Sequence, residues 1–146
     1  MKITATFIDE ISHDIPHQNW GKKEWEKDFQ AMRAIGIDTV VVIRCGWKRW
    51  MAYPSKILQE REMGSLPPID LIDLFLRLSG KYGMNLFFGL YDSGRYWMQG
   101  DWNREIEINM PLIDEVWARY GSYPAFKGWY LCQEVSRRTG KVVETY

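Results

Sequence analysis

Four short β-rich runs recur along the chain, each followed by a turn-rich segment carrying aromatic residues and then by an amphipathic stretch that ends near a glycine. The runs begin near Ile3, Asp38, Asn85 and Lys127, spacings of 35, 47 and 42 residues. Spacings of that size suit right-handed βα crossovers with generous loops. Eight such units would need roughly 330 residues, within the range of a (β/α)8 TIM barrel. The 146 residues hold about the first three and a half of them, four parallel strands and three main helices, as a single domain spanning 1–146. The competing architecture is a small doubly wound α/β sheet. Neither GxGxxG nor GxxxxGK follows any strand, so the partial barrel is the expected fold and no nucleotide cofactor is called for.

The strands are expected at residues 2–8, 38–45, 85–91 and 126–134. The first helix carries Trp25, Phe29, Met32 and Ile35 on one stripe before Gly36. The second starts after Pro67 and Pro68 with Asp70 as N-cap, and turns Leu71, Leu74, Phe75, Leu78 and Tyr82 inward. Pro111 removes a backbone donor from the third helical region, so a break is expected there, with Leu112, Val116 and Trp117 packing on the sheet up to Tyr120.

Composition narrows the partners. Nineteen basic and nineteen acidic residues cancel, which leaves no broad positive field for nucleic acid or anionic lipid. Apolar runs such as residues 40–43 fall far short of the roughly 20 residues that span a bilayer. The acidic pair Asp9 and Glu10 interrupts the opening run before a signal-peptide core could form, so no leader is expected. Cys45 and Cys132 are too few for a disulfide framework, and Pro16 between His13 and His17 argues against a helix presenting both to a metal.

Aromatic content is the outlier, with eight Trp, eight Tyr and six Phe. Trp20 follows the first strand; Trp47, Trp50 and Tyr53 follow the second; Tyr91, Tyr96, Trp97 and Trp102 follow the third. In a βα barrel, function gathers where strands end and loops begin. Flat aromatic faces with polar edges suit sugar rings, so Trp47, Trp50, Tyr91 and Trp97 are candidate carbohydrate-binding residues; Trp25 and Trp117, on helix stripes, belong to the core.

Polar groups fall at the same edge: Asp9, Glu10, Arg44, Asp92, Arg95, Gln133 and Glu134. Hydrolysis of a glycosidic bond needs a protonated carboxyl to donate to the leaving oxygen and a second carboxylate to attack or to activate water. Glu134 fits the donor, since partial burial at the end of an apolar strand would raise its pKa. Its bland alternative is a helix cap or an ion pair with Arg137 or Arg138. Arg44 shares a strand face with Val40 and Val42 and is expected to meet a carboxylate, either at the barrel mouth or as a structural pair with Asp9 or Asp92.

The runs ITATFID, EWEKDFQAMRAIGIDTVVV, YPS and AFKGWYLCQE together resemble an uncharacterised family of TIM-barrel glycosidase-like proteins, the domain of unknown function DUF4434, over nearly the whole chain. More broadly the chain is similar to the N-terminal half of retaining glycosidases in which the acid/base Glu ends the fourth strand and the nucleophile Glu ends the seventh. That resemblance implies an acid/base role for Glu134, a nucleophile-orienting role for Arg44, a sugar contact from Gln133 and a nucleophile outside these residues; Asp92, at the same edge, is a further candidate sugar contact. Gln133 stands where the broader clan usually has Asn. The resemblance also implies a periplasmic or secreted location; from the residues themselves, no cofactor or metal is expected. The resulting expectation is a glycoside hydrolase acting on oligo- or polysaccharide. A noncatalytic carbohydrate-binding barrel and a small doubly wound binding protein are the alternatives. Exposed strand edges imply self-association or a missing C-terminal half-barrel.

Overall fold

The computed structural model describes residues 2–11 and 19–135. Its elements in chain order are β1 (Ala5–Ile8), α1 (Lys22–Ala34), β2 (Thr39–Val42), β3 (Gly46–Trp47), β4 (Trp50–Met51), α2 (Lys56–Glu62), α3 (Leu71–Tyr82), β5 (Asn85–Gly89), β6 (Tyr91–Asp92), α4 (Tyr96–Gln99), α5 (Trp102–Tyr120) and β7 (Phe126–Tyr130). The chain is α/β, and its four main strands pair in parallel in the order β1-β2-β5-β7. That order follows the sequence without reversal. Right-handed crossovers then put every intervening helix on one face, as in the first units of a βα barrel and unlike a doubly wound sheet, which reverses at a switch point.

Side-chain alternation sorts the two faces. Ile8, Val40, Val42, Leu86 and Phe88 are buried in one core with Trp25, Phe29, Phe75, Leu112 and Val116 from the helices. Ala5, Phe7, Thr39, Val41, Asn85 and Phe87 point to the other face, where none is fully buried. The register slips by one residue between Leu86 and Phe87, so Lys127 is skipped and Tyr130 pairs with Gly89 on that second face. Gly89 is required: a Cβ there would lie 2.2 Å from the Val42 carbonyl oxygen.

Helix ends follow the local sequence. Gly21 N–H donates to the Glu24 carboxylate at 3.0 Å, Asp70 caps α3 by accepting from Asp73 N at 3.0 Å, and Gly83 closes α3 in the left-handed conformation. Ile35 is exposed rather than inward, because it is the C-cap of α1 and has left the helical stripe. Leu74 and Tyr82 are only partly buried, while Ile72 and Leu76 take fully buried positions.

Two expectations for the third helix are corrected. Pro111 does not break it; α5 runs unbroken through that residue. The carbonyl that Pro111 cannot serve belongs to Glu107, and Arg61 from α2 donates to it at 2.9 Å. Trp117 is not core: at 58% exposure it lies on the outer side of α5. The second, third and fourth strands also end sooner than their apolar runs suggest, at Val42, Gly89 and Tyr130, which leaves Arg44, Tyr91 and Glu134 in the segments beyond them.

Candidate functional site

Beyond the C-terminal edge of the main sheet the chain builds a second, three-stranded sheet in the order β4-β3-β6. β3 and β4 form a hairpin in which Trp47 faces Trp50, and β3 pairs in parallel with β6, bringing Trp47 opposite Asp92. Gly46 makes this possible, since a Cβ there would come within 2.8 Å of the Tyr91 ring.

Arg44 and Asp92 meet at this junction. Arg44 Nη1 donates to Asp92 Oδ2 at 3.0 Å, with both side chains 19% exposed, and Gly94 N–H holds the other carboxylate oxygen at 2.7 Å. An ion pair this shielded is costly to leave half-made, so each partner fixes the other. Lys48 Nζ sits 4.1 Å from the centroid of the Trp47 ring, and Trp50 remains 59% exposed. Trp97 is half-buried and tilted against Trp102 at 6.2 Å between centroids.

Three candidates are placed differently from expectation. Tyr91 is fully buried, so its ring offers no sugar platform; its hydroxyl donates to the Lys48 carbonyl at 2.9 Å, and burial drives its pKa far upward. Gln133 is also buried, with Nε2 donating to the Tyr91 carbonyl at 3.0 Å and to Glu105 Oε1 at 3.2 Å. Glu134 is exposed rather than partly buried, because the strand that was to enclose it has already ended at Tyr130. His13, His17, Arg137 and Arg138 lie outside the described residues. Among the described residues no group of three or more His, Cys, Asp or Glu is arranged to hold a metal ion, and no helix is long and apolar enough to cross a membrane.

The organising residue of this edge is Glu105, which sequence reasoning missed. Its carboxylate, fully buried on α5, accepts from Ser93 N at 2.8 Å, Ser93 Oγ at 2.6 Å and Gln133 Nε2. Burial raises its pKa against the opposing pull of the Ser93 bonds. One turn on, Asn109 exchanges two hydrogen bonds with the Tyr91 backbone, at 2.9 and 3.0 Å. The signal was present, since Glu105 and Asn109 share the helical stripe of Ile108, Leu112 and Val116. Glu115 plays a similar part lower down: it accepts from Tyr53 Oη, Ser55 Oγ and Lys56 N, tying the YPS loop and the start of α2 to α5.

A cavity of about 450 Å³ opens between the end of β1 and the hairpin, lined by Glu10, Trp20, Trp50, Ser65 and Leu66 among others. Glu10 is 9% exposed, and burial, with a smaller push from Asp9, raises its carboxyl to about 7. A carboxyl that exchanges its proton near neutrality at a cleft is suited to proton transfer or to hydrogen bonding in its neutral form.

The model of the family described as Domain of unknown function (DUF4434) matches residues 3–144. A crystal structure described as that of "a putative alpha-L-fucosidase" from Bacteroides thetaiotaomicron VPI-5482 is similar at 58% sequence identity and a TM-score of 0.87. The match covers 93% of this chain and 42% of that one, so the chain spans less than half the length of this relative. No curated protein matches.

Proposed function

The chain belongs to the DUF4434 family, and from that footing we propose that it is the N-terminal half of a (β/α)8 glycoside hydrolase acting on oligo- or polysaccharides, α-L-fucosides first among them. The observation that carries this reading is the junction at one sheet edge of a shielded Arg44–Asp92 pair with the Trp47–Trp50 hairpin. Paired aromatic faces suit a pyranose ring, and a fixed guanidinium suits the orientation of a carboxylate. The likeness to the structure described as a fucosidase supports the substrate class.

In this mechanism Glu134 protonates the leaving glycosidic oxygen, and a second carboxylate from outside these 146 residues attacks the anomeric carbon to give a glycosyl-enzyme. Glu134 then deprotonates the water that releases the sugar with retention. Arg44, held by Asp92, orients the attacking carboxylate. Asp92, Trp47, Trp50 and Trp97 contact the glycan, and Gln133 sets the approach to Glu134 through its bonds to Tyr91 and Glu105. The exposure of Glu134 favours a second reading, a barrel that binds glycan without cleaving it.

Hydrolysis of an aryl α-L-fucoside panel and of glycans by a chain carrying the complete barrel separates the two. Glu134→Gln is expected to lower turnover about a hundredfold to ten-thousandfold while leaving binding in place. Unchanged turnover would remove Glu134 as the acid, and glycan binding without any turnover in the parent would establish the binding-only reading.

A further inference from the structure

The cavity at the end of β1 shares Trp50 with the hairpin at the Arg44–Asp92 junction and otherwise has its own supports. The 65–68 segment is bound to the hairpin through the Trp50–Ser65 bridge and a 2.7 Å bond from Ser65 N to the Arg49 carbonyl, so Trp50, Leu66 and Pro67 line the cavity from two joined segments. Trp20 also lines the cavity, and its ring packs edge to face on the fully buried Trp25 with centroids 5.1 Å apart. Glu10 lines it as well, and Asn19 and Ser65 add neutral polar groups. The cavity has the size of a small-molecule site, apolar surface with a few convergent polar groups.

Its chemistry selects the ligand. Among the described residues lining it there is no Lys or Arg, so an anionic ligand finds no cationic partner among them. Aromatic walls and neutral polar groups suit a ligand with apolar faces and a rim of hydroxyls. We propose that this cavity binds one neutral pyranose ring of a glycan, with Trp50 as its stacking face and the Glu10 carboxyl hydrogen-bonded to a ring hydroxyl, a subsite that rests on the carbohydrate reading above. A carboxyl accepts from a ring hydroxyl in either protonation state and also donates when it carries its proton, which matches a hydroxyl.

Isothermal titration calorimetry of the 146-residue chain with methyl α-L-fucopyranoside, methyl β-D-glucopyranoside, D-glucuronate and tetramethylammonium tests it. Saturable binding of at least one neutral pyranoside is expected, with glucuronate weaker. Trp50→Ala is expected to weaken it about fivefold and Glu10→Ala by a similar factor, while Glu10→Gln, which keeps a donor and an acceptor, stays within about twofold. Trp50 is 59% exposed, so its replacement is expected to leave the fold intact, which keeps the test valid if Glu10→Ala unfolds the chain. Sugar binding unaffected by Trp50→Ala overturns the cavity assignment and leaves the carbohydrate reading standing. Tighter binding of tetramethylammonium than of any sugar, or no saturable binding of either pyranoside, overturns the subsite outright, and the Glu134→Gln hydrolysis comparison then judges the broader reading independently.

Discussion

Phe7 on β1 and Tyr130 on β7 lie on the two outer strands of the four-stranded sheet, yet their rings meet edge to face with centroids 5.2 Å apart. Three strand spacings in a flat sheet would separate them by about 14 Å. The sheet is therefore curled, and the face opposite the helices is concave. Curling of this kind belongs to a barrel wall.

The first prediction follows from that curl. Phe7, at 55% exposure, shares the concave face with Val41, Phe87 and Tyr130, and β1 and β7 each have only one strand partner among the described residues. Apolar surface and open edges together favour association. The isolated 146-residue chain is expected to run as a dimer or larger species in light scattering at micromolar concentration, and a well-folded monomer would count against the half-barrel.

Glu105 gives the second. Glu105→Ala leaves the buried Ser93 N–H and hydroxyl without their acceptor and takes one of the two acceptors of the Gln133 amide, which is expected to cost about 3 kcal/mol in urea unfolding. Loss below about 0.5 kcal/mol would mean that the network does not hold the strand ends together.

Glu10 and Glu105 also set a pH dependence. Both carboxyls are raised in the folded state, so the native protein keeps protons that the unfolded chain has already released. Stability is therefore expected to fall as pH rises from about 4.5 through about 7, the window set by Glu10. Glu10→Gln should flatten that slope, a change visible in urea midpoints measured across the window; an unaltered slope would show that Glu10 does not titrate there.

Pro111 and Arg61 form a coupled pair. Arg61→Ala removes the donor to the Glu107 carbonyl and is expected to cost about 1 kcal/mol, whereas in a Pro111→Ala background residue 111 can donate to that carbonyl itself and the cost should shrink. Equal costs in both backgrounds would show that Arg61 does not compensate for the proline.

The thiols supply the last prediction. Cys45 and Cys132 are free and buried, and burial pushes Cys132 up to about 12 and Cys45 well above its ordinary value. Neither should react with a thiol reagent in the native state, and both should react in denaturant without reductant. A peptide map linking them would contradict the strand order.

Local pattern alone determined the βα alternation, the four strands of the main sheet, the Asp70 cap and the Trp25, Phe29 and Met32 stripe of α1, because each rests on residues within one or two turns of one another. The small second sheet of β3, β4 and β6 was not foreseen. The sequential order of the main strands followed from their spacing, since crossovers of about 40 residues return to a neighbouring position. The clustering of Trp47, Trp50, Arg44 and Asp92 at one edge was likewise legible, as all follow strand ends. Only tertiary structure decided how those groups are used. Arg44 and Asp92 are 48 residues apart, Gln133 and Glu105 28, and Arg61 reaches the carbonyl freed by Pro111 across a gap of 46. No periodicity encodes such pairings. They arise because a buried polar group must find a partner wherever the packed chain brings one, and for the same reason Tyr91 turned inward, Trp117 stayed outside and Glu10 came to line a cavity.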